Sequence, residues 1–488
     1  MREVLHGVGF MLHVPGLMAL LTVPVALAAG EPWGLPGLLA TAAIALGSGQ
    51  ALVWSTRGAT HFQRYHSMQI AGVSWVLISL LGALPFVASA HAVADAEALG
   101  MAAFLSPTKA LFESVSGFTS TGLTVVEYAS ALPAHLQWWR SFTEWVGGIG
   151  VILLLLAVLP AERGALHLYF SEAREEKILP TVKSTVRAIW AIYLGYTVFA
   201  VGLLWLAGEP TWRALNHGMT AIATGGFSIT DDSMISAPAR VQLAYIPVML
   251  AGAVSFLVHY RLLVERRRLA ALRHSAELRL LGWIVIGGAG LLILERWLFD
   301  GAEGGVATVF LWVSAITTAG FTSADLSLWA DAPLLLLLTA VLVGGMAGST
   351  SGGVKLLRVS LLLTDLRAQL LRLRASPHEV VRIGYDRRRL SLDEVAGLAR
   401  ASAQLVGTFM LLWLLGVFVL LHLLPAETRL AHVFFDTASA LFNSGLSTGV
   451  AGADLSGPAA TVLSALMLLG RLEIFPLLVL AAWAAGRR

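Results

Sequence analysis

The chain has 488 residues, of which 57% are hydrophobic and only 13% charged. Soluble domains carry about 25% charged residues, so this composition excludes an ordinary soluble protein and points to a polytopic membrane protein. There is no cysteine, which excludes a disulfide framework, a thiolate metal site and a cysteine nucleophile.

A transmembrane helix needs roughly 20 apolar residues. In chain order, such runs fall at 8–29, 34–55, 69–92, 139–160, 186–208, 240–262, 279–299, 333–371, 400–424 and 458–484, which predicts ten spans. Arg2, the apolar stretch after it and Ala26-Leu27-Ala28 have the outline of a signal peptide. His13 and Pro15 interrupt its hydrophobic centre and a second span follows at once, so we expect a retained helix.

Basic residues gather in alternate connections: Arg57 and Arg64, then 161–187, then 259–279, then 358–400 with Arg387-Arg388-Arg389. With Arg2, Arg487 and Arg488, 25 of the 33 basic residues fall on one side. By the positive-inside rule that side is the cytoplasm, and both termini lie there. Orientation in the bilayer accounts for these charges, so no nucleic-acid partner is expected.

The opposite connections carry four short segments, 104–118, 211–223, 305–318 and 429–442, each too short to cross a 30 Å hydrocarbon core. Each runs into a small-small-Gly-(Leu/Phe)-(Ser/Thr) motif: STGLT (120–124), TGGFS (224–228), TAGFT (318–322) and NSGLS (443–447). The glycines Gly122, Gly226, Gly320 and Gly445 are spaced by 104, 94 and 125 residues, the signature of one repeated unit. The predicted fold is therefore all-α, with four parallel helix–short helix–loop–helix repeats around a central axis after two N-terminal helices. The expected divisions are 1–60 for the N-terminal pair, then repeats at 61–185, 186–277, 278–390 and 391–488.

Non-helical backbone at membrane depth survives only when buried in protein or lining an aqueous cavity. Four such loops give a ring of carbonyl oxygens able to replace the hydration shell of a cation. The C-terminal ends of the short helices, each with roughly half a negative charge, point at the same axis. The expected filter is Ser120, Thr121 and Gly122; Thr224, Gly225 and Gly226; Thr318, Ala319 and Gly320; and Asn443, Ser444 and Gly445. The Leu or Phe that follows each glycine is expected to wedge its loop against the scaffold.

Two features lie on the cytoplasmic side. Segment 333–371 is interrupted by GGMAGSTSGGVK (344–355), which a helix crosses only at about 1 kcal/mol per glycine. It lacks the Walker spacing of a phosphate loop and reads as a flexible plug built from Gly344, Gly345, Gly348, Ser349, Thr350, Ser351, Gly352, Gly353 and Lys355. Arg471, inside the last apolar run, is a costly intramembrane charge and hence a functional candidate facing the pore. Glu473 lies about 200° round the helix from it and is not its expected partner. Lys109, Glu113, Arg140 and Glu144 read as interfacial ion pairs, and Asp436 as a residue that could tie down the fourth short helix. The thirteen histidines have no metal-like spacing.

The four loops, GGMAGSTSGGVK, WRSFTEWVGGIGVILL (139–154) and GRLEIFPLLVL (470–480) together resemble the TrkH/KtrB potassium transporters, over nearly the whole chain. The two extra N-terminal helices favour the TrkH branch. The resemblance implies potassium as transported ion, with no bound cofactor and no enzymatic activity. It further implies a homodimer with one pore per subunit in the bacterial inner membrane, and a cytosolic, nucleotide-binding TrkA-like partner. It makes 344–355 an intramembrane gating loop with Arg471 beside it. Some relatives with serine in the first loop prefer sodium, so Gly122 argues for potassium, while Asn443 departs from the threonine-rich pattern. Channel-like conduction is expected, with sodium- or proton-coupled transport as the competing reading. A membrane enzyme would need a cluster of catalytic side chains at one depth, and the sequence offers none.

Overall fold

A computed structural model describes residues 1–59, 63–150, 181–263, 275–299, 305–376, 382–386 and 388–484. The first two helices, α1 (Arg2–Ala28) and α2 (Leu35–Ser55), form an antiparallel pair. Small residues allow close approach, as is usual where lipid gives helices no hydrophobic reason to associate. A β-carbon on Gly9 would lie 2.9 Å from the Gly49 carbonyl oxygen. His13 does not break α1. Its ring bonds back to the Gly9 carbonyl at 2.9 Å and across to Gln50 at 3.3 Å.

Four units follow. Their outer helices are α3 with α4 (Arg64–Gly82, Leu84–Ala92), α7 (Val182–Leu206), α11 (Ala276–Phe299) and α15 (Leu392–Leu421). Their short helices are α5 (Pro107–Phe118), α8 (Thr211–Ile222), α12 (Gly305–Thr317) and α16 (Leu430–Leu441), close to the four predicted segments. The inner return helices are α6 (Ala134–Ile149), α9 with α10 (Ala239–Ala253, Phe256–Leu263), α13 with α14 (Asp331–Val343, Leu356–Arg374) and α17 with α18 (Gly457–Arg471, Phe475–Ala484). The outer helices expose Val198, Leu206, Trp283, Ile286 and Phe299. The short helices are buried over most of their length.

The predicted apolar runs are not all single straight helices. Among the described residues six helices are long and apolar enough to span alone, and eight if two bent pairs are counted as spans. The pairs α9–α10 and α17–α18 turn by 104° and 113° where the sequence predicts straight helices. At the second bend Glu473 and Ile474 take left-handed backbone, φ 48° and 71°. The run 333–371 is broken as expected, leaving α13 only 13 residues long. The continuation of 139–160, and most of the basic residues in 161–187 and 259–279, lie outside the described residues.

The fold is also not wholly helical. Strands β1 (Arg382–Tyr385) and β2 (Arg388–Ser391) form a small antiparallel hairpin, with Ile383 opposite Leu390. Ile383 closes a minor apolar cluster with Ala368 and Val395. Tyr385 bonds Ser360 at 2.7 Å, and Asp386 accepts the Ala276 N–H at 2.7 Å. The basic run in this segment reads from sequence as a topological signal only, because nothing local announces the hairpin's partners.

Candidate functional site: four converging loops and an intramembrane strap

Every short helix ends in the same way. At the first, Ser120 N–H bonds the Gly117 carbonyl at 2.8 Å and Thr121 N–H bonds Ser116 at 2.9 Å. Thr224 and Gly225, Thr318 and Ala319, and Asn443 and Ser444 repeat this pair of bonds on their own helices. This is the Schellman closure, which puts its first residue past the cap in left-handed backbone. That residue is Ser120, Thr224, Thr318 or Asn443, with φ of 53°, 52°, 53° and 50°. A non-glycine residue there costs of the order of 1 kcal/mol or more, and all four repeats carry it. Two residues on, Gly122, Gly226, Gly320 and Gly445 are left-handed again, φ 90°, 95°, 77° and 82°. Alternating handedness turns successive carbonyls toward the same side.

The loops close on one another in chain order. A β-carbon on Gly122 would lie 1.9 Å from the Gly225 carbonyl oxygen, and one on Gly226 would lie 2.6 Å from that of Ala319. One on Gly320 would lie 2.9 Å from Ser444 O, and one on Gly445 would lie 2.1 Å from Thr121 O. Each glycine therefore touches the carbonyl of the next loop, and the fourth touches the first. The wedge residues Leu123, Phe227, Phe321 and Leu446 are all buried behind their loops.

Nine residues before three of the four anchoring glycines stands a polar brace, of which the sequence singles out only Asp436 as a tie. In the first repeat Glu113 accepts from Thr124 Oγ1 (2.9 Å) and Val125 N (3.1 Å). In the second, His217 Nε2 accepts from Ile229 N at 3.0 Å while Nδ1 faces the Tyr245 hydroxyl at 2.6 Å. In the fourth, Asp436 accepts from Ser447 Oγ, Thr448 N and Oγ1, and Ala451 N at 2.6–3.1 Å, which settles the role left open for it. The third repeat has Leu311 at this step, and its loop leans on the second instead: Thr322 N–H donates to Ser233 Oγ, and Met234 N–H to Thr322 O. Aligning the four motifs would have exposed this column. Replacing Asp436 by Ala strands two buried N–H groups and should cost roughly 2–4 kcal/mol. Thermal unfolding in detergent should show a clearly smaller loss for Asp436→Asn.

Of the four charged residues expected at an interface in the first repeat, Glu113, Arg140 and Glu144 are buried in the interior, and Lys109 is half-buried. Arg140 pairs with Glu113 at 2.7 Å, both side chains being 1% exposed or less. Its other nitrogens donate to Ser228 O (2.8 Å) and Thr124 Oγ1 (3.2 Å), and its guanidinium lies 4.2 Å from the Phe227 ring centre. It thus joins the first two loops. Lys109 donates to the Ala453 carbonyl, and Glu144 lies behind the second loop. No cluster of three or more His, Cys, Asp or Glu able to hold a metal ion occurs among the described residues.

Segment 344–355 is a strap hydrogen-bonded to the loops around it. Gly353 N–H bonds Phe442 O at 2.9 Å, Gly352 N–H bonds Thr318 Oγ1 at 2.8 Å, and Thr350 Oγ1 reaches Ile222 O and Gly252 O. Thr224 Oγ1 lies 3.2 Å from Thr350 Oγ1. The strap therefore meets the second, third and fourth loops at their bases and satisfies helix-end carbonyls that would otherwise be orphaned. Gly344, Gly348 and Gly353 are left-handed, and a β-carbon on Gly352 would sit 2.0 Å from Phe442 O. Met346 N–H donates to Ala253 O and Phe256 N–H to Gly348 O, so the strap also fills the bend between α9 and α10. Ser349 and Ser351 bond each other at 3.0 Å inside it, and a β-carbon on Gly345 would meet Ser351 Oγ.

Arg471 grips the strap from outside. It donates to Thr350 O at 3.2 Å and to the Gly147 and Gly148 carbonyls of the first repeat. Glu473 is not its partner, as expected. Glu473 instead pairs with Lys355 at 2.9 Å and Arg358 at 2.5 Å, tying the second bend to the end of the strap. Lys355, at the end of the strap, therefore stands in an ion pair.

This architecture, with inner loops closing a ring inside a shell of apolar helices, defines a polytopic membrane transport protein rather than an enzyme. Comparison with known proteins gives the family. A sequence model of the TrkH family, described as cation transport protein, matches residues 37–279 and 300–485. The Trk system potassium uptake protein TrkH of Halomonas elongata is 33% identical over 431 residues, covering 86% of this chain and 85% of that protein. The protein of the same description from Vibrio parahaemolyticus is 30% identical and is aligned over 98% of both chains. The crystal structure of the potassium transporter TrkH from Vibrio parahaemolyticus superposes with a TM-score of 0.83 at 27% identity, again over 98% of each chain. The chain belongs to the TrkH family of cation transport proteins.

Proposed function

We propose that this chain is the potassium-translocating membrane subunit of a Trk-type uptake system, conducting in a channel-like manner. The observation that carries the proposal is the closed ring: four loops with the same alternating left-handed backbone, each glycine against the next loop's carbonyl. The relatives described as potassium uptake proteins support potassium as the ion. In this reading the residues Ser120–Gly122, Thr224–Gly226, Thr318–Gly320 and Asn443–Gly445 form the filter. Asn443 serves as a brace, its amide donating to Thr121 Oγ1 and Met467 O at 2.9 Å each. The strap 344–355 with Arg471 is the gate, the chain pairs as a homodimer in the inner membrane with both termini cytoplasmic, and a TrkA-like nucleotide-binding partner sets the gate from the cytosol. Each repeat contributes one quarter of the ring within the divisions expected from sequence.

Reconstitution in liposomes tests this. The reversal potential should follow the potassium gradient alone, at rates that do not depend on a sodium or proton gradient. A reversal potential that shifts with pH or sodium would instead favour the coupled transporter.

A further inference from the structure

The second loop differs from the other three. Its middle residue is Gly225, where the others carry a side chain in Thr121, Ala319 and Ser444. The space a side chain would need is taken by Glu144: a β-carbon on Gly225 would lie 2.4 Å from the Glu144 carboxyl carbon and 2.4 and 2.8 Å from its oxygens. A β-carbon on Gly122 would lie 3.4 Å from the same carboxylate. Glu144 is thus wedged between the first and second loops, fully buried. Its hydrogen bonds come from one donor, the Phe227 N–H, at 3.0 and 3.2 Å. No ion pair reaches it among the described residues; the Arg140 Nε one turn earlier is engaged with Glu113. Two other repeats place an apolar residue at this step. Glu144 stands three residues before Gly147, which packs on Phe118 O. Gly252 and Gly470 pack the same way on Ile222 O and Leu441 O, and three residues before them stand Met249 and Met467.

A buried carboxyl group is an anion only when a cation stands close enough to offset its desolvation, and otherwise takes up a proton. Glu144 lies against Gly225, whose carbonyl oxygen faces Gly122, Gly320 and Gly445 of the other three loops. Resting on the reading of the loops as a cation filter, we infer that Glu144 is a positioning residue whose counter-ion is the transported monovalent cation itself. With the cation in place it gives an otherwise neutral ring one negative charge, on one quarter. Gly225 is the complementary half of this device, since any side chain there would push the carboxylate away.

The test is potassium and sodium binding to purified full-length protein by titration calorimetry. The variants are Glu144→Gln, which keeps an acceptor for Phe227 N–H but removes the charge, and Glu144→Asp, which keeps the charge. Glu144→Met, the side chain used by two other repeats, covers the event that the glutamine variant does not fold. The expected result is roughly five- to fiftyfold weaker potassium binding in the Gln and Met variants. Sodium should weaken in parallel, so that the ratio of the two stays within about twofold, because a charge does not distinguish equal valences. The Asp variant should retain most of the affinity. A Gln or Met variant with wild-type potassium affinity would overturn the inference, as would a changed potassium-to-sodium ratio at unchanged affinity, which marks a purely structural residue. Wild-type protein that binds no potassium would remove the filter reading, and this inference with it.

Discussion

Replacing Gly320 by Ser is expected to lower discrimination of potassium over sodium at least about tenfold, equivalent to about 1.4 kcal/mol. Two effects add at this position. Its φ of 77° is one that a side chain adopts only with strain. Its β-carbon would also meet two backbone oxygens, Gly225 O at 2.8 Å and Ser444 O at 2.9 Å. Neither oxygen can swing aside as a flexible side chain would, so the loops on both flanks must shift. Gly122→Ala should be harsher, because its β-carbon falls 1.9 Å from Gly225 O. Growth on limiting potassium, with relative sodium permeability in liposomes, reads both variants. Unchanged selectivity and uptake in folded Gly320→Ser protein would show that this quarter of the ring does not set selectivity.

Removing the Arg471 charge should raise basal flux without any cytosolic partner, by roughly thirtyfold. At an assumed separation of about 8 Å, a positive charge opposes a permeating cation by about 2 kcal/mol at an effective dielectric constant of about 20. The structure adds a mechanical route to the same outcome, because Arg471 clamps the strap at Thr350 against Gly147 and Gly148. Deleting three or four residues within Gly348 to Gly353 should act on the same barrier, since that stretch carries the bonds to the second, third and fourth loops. The double variant should then be clearly less than additive in log rate. Folded protein with unchanged or reduced basal flux in both single variants would leave Arg471 as a scaffold brace and the strap as a fixed part of the wall.

The parts of the site written as a local repeat were legible before any coordinates. Small-small-Gly followed by an apolar wedge recurs four times because the same backbone must be made four times. The short helices were likewise visible from their length. The column Glu113, His217, Leu311, Asp436 was equally present but hidden by its chemistry, since one carboxylate brace looks nothing like an imidazole or a leucine. What could not be read were partnerships over long sequence distances. Glu473 with Lys355, Arg471 with Gly148, and Thr318 with Gly352 depend on how the repeats are arranged about the axis. The bends at 254–255 and 472–474 were masked by continuous apolarity, which is demanded equally of a straight span and of a broken one buried among neighbours. The hairpin at 382–391 was masked by arginines that topology alone could explain.

The most direct measurement of the central claim is the position of a heavy monovalent cation. Crystals grown in thallium or rubidium should show an anomalous peak on the axis enclosed by the four loops, within coordination distance of carbonyl oxygens from Thr121, Gly225, Ala319 and Ser444. A well-ordered ring with no peak inside it, and the cation bound elsewhere in the protein, would contradict the account.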